Sequence, residues 1–123
     1  DDAPVMELIG VGIFRTALGL LGVMADPAHH ARVLAFRRSV YDSEGGRRVG
    51  IARTRPWIAH LTLGYFERGD HRSAREALLH EVLEINRALE NSPVRFRLPF
   101  ARLHRYPHLS AFETAPDFPA CRL

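Results

Sequence analysis

Lysine is absent from this 123-residue sequence: all 17 basic residues are arginine, and against 14 acidic residues they leave a formal charge of +3. So small a surplus gives little hold on bulk duplex nucleic acid, where affinity grows with each phosphate neutralised. The guanidinium fork suits a phosphorylated ligand, although the even scatter of the 17 equally fits a genomic preference for arginine codons. Cys121 is the lone cysteine, which rules out an intramolecular disulfide and points to a reducing, cytoplasmic setting. Long apolar runs are missing as well. The longest, Ala17 to Ala25, falls far short of the ~20 residues a membrane span needs, so no membrane partner is expected. No basic-then-apolar leader precedes the opening Asp1-Asp2-Ala3-Pro4, and with no initiator Met the chain reads as a processed or truncated product. Walker and dinucleotide glycine fingerprints are also lacking.

What is present is a 46% hydrophobic, 25% charged chain of one-domain length. Met6 to Met24 reads as two glycine-dotted strands around Arg15-Thr16. Asp26-Pro27 opens a helix over 27–42, with Gly45-Gly46 as its stop and a polar connection from Asp42 to Arg55. A strand follows in Pro56 to Phe66, with Trp57, Ala59, Leu61, Leu63 and Tyr65 on a core face and His60 and Thr62 on the other. A capping box of Ser73 and Glu76 starts a helix over 71–91, whose Leu78, Val82, Ile85 and Leu89 form a core stripe. Val94 to His104 alternates around Pro99, the mark of an edge strand or bulge, and the tail holds one or two short strands. These elements predict one α+β domain over residues 1–123: a largely antiparallel sheet with two helices packed on one face.

His60-Leu61-Thr62 is the segment with chemistry. An extended backbone projects residues two apart to one side, so an imidazole that exchanges protons near neutral pH stands beside a hydroxyl that can bond a phosphoryl oxygen. Arg53 and Arg55 lead into this strand and can reach a phosphate near its start, or simply line a solvated loop. His29-His30 offers poor metal geometry, since neighbours in a helical turn diverge. His80-Glu81-Val82-Leu83-Glu84 has Glu where a zinc-protease helix needs its second His, and His104 and His108 flank Pro107. No metal or cofactor is expected. Phe96, Phe100, Tyr106 and Phe112 can stack a base, though strand aromatics more often fill a core.

The run RPWIAHLTLGYF resembles the second signature strand of the 2H phosphoesterase superfamily, the RNA ligase and cyclic phosphodiesterase-like proteins, whose members carry His-x-Thr/Ser followed by small and apolar residues. MELIGVGIFRTALGLLGVMADP upstream looks like the hairpin preceding that strand. FRLPFARLHRYPHLSAFETAPDFPACRL downstream looks like the closing segment of an uncharacterised branch. The resemblance implies a two-lobed, pseudo-twofold fold in which each lobe supplies one such motif. Two histidines then act as general base and acid on a phosphodiester, commonly a 2′,3′-cyclic phosphate, a 2′–5′ linkage or a cyclic ADP-ribose phosphate, and no metal takes part. By motif match, His60 is one acid/base residue and Thr62 one phosphate holder.

The sequence resembles only the C-terminal lobe, because the family's first motif lies upstream of such a hairpin. His108-Leu109-Ser110 also fits His-x-Ser, but it falls in the closing segment rather than in a partner lobe. One histidine cannot be base and acid at once on opposite sides of a phosphate. Activity on a nucleotide or RNA-end phosphodiester therefore requires a missing lobe, a homo-oligomer partner, or His108 and Ser110 as the second catalytic pair. Two rivals stand beside this reading: a nucleotide- or phosphate-binding module without turnover, and a protein-interaction piece that docks through the 6–24 hairpin.

Overall fold

The computed structural model describes residues 2–14, 16–52, 55–108 and 111–123. Strands β1 (Val5–Ile13) and β2 (Ala17–Met24) form the expected antiparallel hairpin. Helix α1 (Pro27–Asp42) begins as Asp26-Pro27 predicts, with the Asp26 carboxylate accepting from the Ala28 amide at 2.6 Å. Gly45-Gly46 does not end the structure there. Ser43 caps a further short helix, α2 (Glu44–Arg48), by accepting from the Gly46 amide at 3.0 Å. A Cβ at position 46 would lie 2.5 Å from the Val40 carbonyl oxygen and 2.9 Å from that of Tyr41. This glycine therefore serves the close return of α2 onto the end of α1.

Strand β3 (Ala59–Tyr65) and helix α3 (Arg72–Asn91) follow, then β4 (Val94–Arg97), β5 (Phe100–Arg102), β6 (Arg105–His108), β7 (Ala111–Glu113) and β8 (Ala120–Arg122). The main sheet is antiparallel in the order β3-β2-β1-β4; β5 pairs with β8 and β6 with β7 in separate two-stranded ribbons. The break at Leu98-Pro99 separates β4 from β5, and β4 is the edge strand that Pro99 suggested. The fold is α+β, as predicted.

Both long helices meet one face of the sheet. Leu89 of α3 buries against Met6, Leu8 and Ala59, and Trp57, which packs on that cluster, stacks on His30 of α1 at 5.8 Å. Arg32 of α1 donates to the carboxylate of Asp2 at 2.8 Å and to the Leu123 carbonyl, tying both ends of the chain to this helix. No described helix is long and apolar enough to cross a membrane.

Four expectations change. Helix α3 has no Ser73–Glu76 capping box: it starts at Arg72 with His71 as its uncapped N-cap, so Ser73 already lies inside the first turn. The Asp70 carboxylate instead accepts from both the backbone and the guanidinium of Arg72. Ile85 is exposed while Val82 and Leu89 are buried, because α3 lies along β1 and turns Ile85 away from it. Leu61, Leu63 and Tyr65, expected in the core, are 41%, 56% and 60% exposed. Their face lies on the outer strand of the sheet, beyond the reach of α3, and only Ala59 at the start of β3 is covered. Phe96, Phe100, Tyr106 and Phe112 are exposed rather than core: among the described residues no helix makes an extensive contact with their strands.

Candidate functional site

His60 and Thr62 stand in β3, two residues apart and both exposed. In the sheet His60 pairs with Leu21 and Thr62 with Gly19, while the Leu61 between them pairs with Leu20. Residues opposed in an antiparallel pair share a face. The imidazole, the hydroxyl, Leu21 and Gly19 therefore lie together on the face away from Ala59 and the helices.

Two features shape the space around them. The His60 Nδ1 lies 2.8 Å from the Ile58 carbonyl oxygen. A carbonyl can only accept, so Nδ1 carries the proton and donates it. In the neutral ring Nε2 then holds the free lone pair, and in the imidazolium Nε2 is the proton to give. The second feature is Phe14, whose ring centroid sits 5.9 Å from that of His60 at 53°. It fits there because Gly19 has no side chain: a Cβ would stand 2.9 Å from the Phe14 ring and 3.0 Å from the Leu61 carbonyl oxygen. That same lack leaves the Thr62 hydroxyl without a side chain opposite. The result is an open, apolar-floored patch with one proton-exchanging nitrogen and one hydroxyl.

Sequence reasoning missed Ile58, Phe14 and Gly19. Ile58 is findable in principle, since it lies two residues before His60 in an extended run. Phe14 and Gly19 depend on hairpin register and on the β2–β3 bulge between Leu18 and Gly19, which no local pattern reveals.

The remaining candidates are not gathered here. Arg55 is exposed four residues ahead of β3, with no hydrogen bond or ion pair among the described residues. Arg53 lies outside the described residues. His108 ends β6, in a ribbon separate from the sheet that carries His60, and Leu109 and Ser110 lie outside the described residues. His29 and His30 diverge as expected: His29 Nδ1 accepts from the Val5 amide at 3.3 Å, and His30 faces Trp57. A larger hollow of about 900 Å³ opens between Ile13, Phe66, His71, Arg75 and Leu79 at the start of α3, and none of the candidate residues lines it. Comparison with protein-family models, with curated proteins and with solved structures gives no match.

Proposed function

We propose that this chain is a 2H-phosphoesterase-like lobe acting on a cyclic or 2′-linked nucleotide or RNA-end phosphodiester, with His60 as acid/base residue and Thr62 as phosphate anchor. The observation that carries it is the His60 Nδ1 bond to the Ile58 carbonyl, which leaves Nε2 as the working nitrogen on the face that also carries Thr62. On a 2′,3′-cyclic phosphate, a neutral imidazole takes a proton from water as the water oxygen bonds to phosphorus. A second, protonated group gives its proton to the leaving ribose oxygen as that P–O bond breaks. The Thr62 hydroxyl donates to a non-bridging oxygen throughout. The product is a ribose phosphomonoester, and every proton is accounted for between the two groups.

The test is hydrolysis of a 2′,3′-cyclic nucleotide phosphate followed by phosphorus NMR. The expected result is turnover that His60→Ala reduces by about 10²–10⁴-fold, the usual contribution of one proton-transfer partner. Equal rates for the variant and the parent would overturn the assignment.

The second reading is a binding module without turnover. It is favoured by one observation: among the described residues, the main sheet carries a single His-x-Thr pair. Saturable binding of a 2′-phosphorylated nucleotide with no product after long incubation selects it.

A further inference from the structure

The two edges of the main sheet differ in chemistry. β4 carries Arg95 and Arg97, and Arg95 reaches across to the Glu7 carboxylate at 2.8 Å. β3 carries no Asp, Glu, Lys or Arg, and among the described residues no strand pairs with its outer side. Charged edges resist the addition of another strand, whereas uncharged apolar edges invite it. The chain also exposes far more surface than its mass requires. A compact monomer of 13.9 kDa exposes roughly 6,700 Å², against 9813 Å² here. The surplus of about 3,100 Å² exceeds the roughly 800 Å² per partner that a standard interface buries.

We infer that β3 pairs edge to edge with β3 of a second copy of this chain, antiparallel about a twofold axis through Leu61. A twofold pair of identical strands is self-complementary, so its register is set by the residue on the axis. The regular part of β3 lies before Leu63, where its pairing with β2 slips. With Leu61 on the axis, its immediate neighbours His60 and Thr62 both come from this part. It then opposes its own copy, and Ala59 opposes Leu63, so two exposed leucines gain apolar neighbours across the strands. In the same register His60 of each copy opposes Thr62 of the other. All four side chains share one face, with the two His60 Cα atoms roughly 8 Å apart, from a two-residue offset and one strand spacing. That gap admits a phosphodiester between two imidazoles, one neutral and one protonated, each beside the other copy's hydroxyl. The second copy thus supplies the acid that one chain lacks. No like charge meets across the seam, because β3 holds no Asp, Glu, Lys or Arg and only one of the two His60 rings is protonated. The catalytic meaning of this pair rests on the function proposed above; the pairing itself does not.

Directed cross-linking tests it in the full chain. With Cys121→Ser removing the native thiol, Leu61→Cys places two thiols in direct opposition, where the Cα separation suits a disulfide. Leu63→Cys holds its thiols roughly 14 Å apart, beyond disulfide reach. The expected result is a disulfide-linked dimer from Leu61→Cys and none from Leu63→Cys, with Leu61→Arg giving folded monomers by sedimentation and circular dichroism. A parent protein that sediments as a monomer at its highest attainable concentration overturns the inference, as does faster cross-linking at 63 than at 61. A cross-linked dimer that binds and turns over no phosphodiester would support the pairing and overturn the function.

Discussion

His60 owes its usable nitrogen to a backbone carbonyl. Because the Ile58 carbonyl accepts a hydrogen bond from Nδ1–H, the ring keeps Nε2 for proton exchange in both protonation states, which is what a residue alternating between base and acid requires. Thr62 acts through its hydroxyl alone, so two substitutions separate shape from chemistry. Thr62→Val keeps the β-branched shape that suits a strand and is expected to cut kcat/KM by roughly 10- to 100-fold, the worth of one hydrogen bond to a charged oxygen. Thr62→Ser is expected to stay close to the parent, and steady-state kinetics on a cyclic nucleotide phosphate reads both. Asp70 gives a prediction independent of function. The Arg72 guanidinium, then the Arg72 backbone amide, holds its carboxyl below the ordinary aspartate value. A depressed pKa favours the folded state above the unfolded value near ~3.9 and ceases to do so as pH falls through the folded value. Carbon-detected titration should therefore place Asp70 below a free aspartate, and Arg72→Ala, which removes the guanidinium but keeps the backbone amide, should raise it only part of the way back.

At the scale of elements, a single side chain from α3 completes the central strand. The register of β1 slips between Leu8 and Gly10, and the Val11 amide donates to the Asn86 side-chain oxygen. Removing that acceptor leaves a partly buried amide without its partner, so Asn86→Ala should lower stability by about 1–3 kcal/mol in urea unfolding. Leu89→Ala, which empties the contact between α3 and the sheet, should cost about 2–5 kcal/mol by the same measurement. These elements were legible to very different degrees. Both hairpin strands and both long helices carry their pattern locally: Asp26-Pro27 starts α1, and Val82 and Leu89 are buried in α3 as its spacing implies. The failures occur where a distant partner decides. Leu61 and Leu63 alternate as core residues do, yet their burial depends on what lies over β3, and α3 runs along β1 instead. Gly45-Gly46 has the composition of a helix stop, but Ser43 supplies a cap and the chain turns helical again. In the site, the His60–Thr62 spacing shows in the sequence, whereas Phe14 and Gly19 come into place only through the bulged register of the sheet.

At the scale of the whole molecule, the α+β fold leaves an uncharged edge and a row of exposed apolar residues on β3, while the opposite edge is guarded by arginine. Pairing through β3 couples folding to association, so the melting temperature should rise with protein concentration for the parent and stay constant for Leu61→Arg. Association and acid/base chemistry then meet in one observable, the pH dependence of cyclic phosphodiester hydrolysis. With one neutral and one protonated His60 required together, kcat/KM should trace a bell whose two limbs report the base and the acid. His60→Ala should abolish both limbs. A rate indifferent to pH, or a bell that survives His60→Ala, would contradict the account.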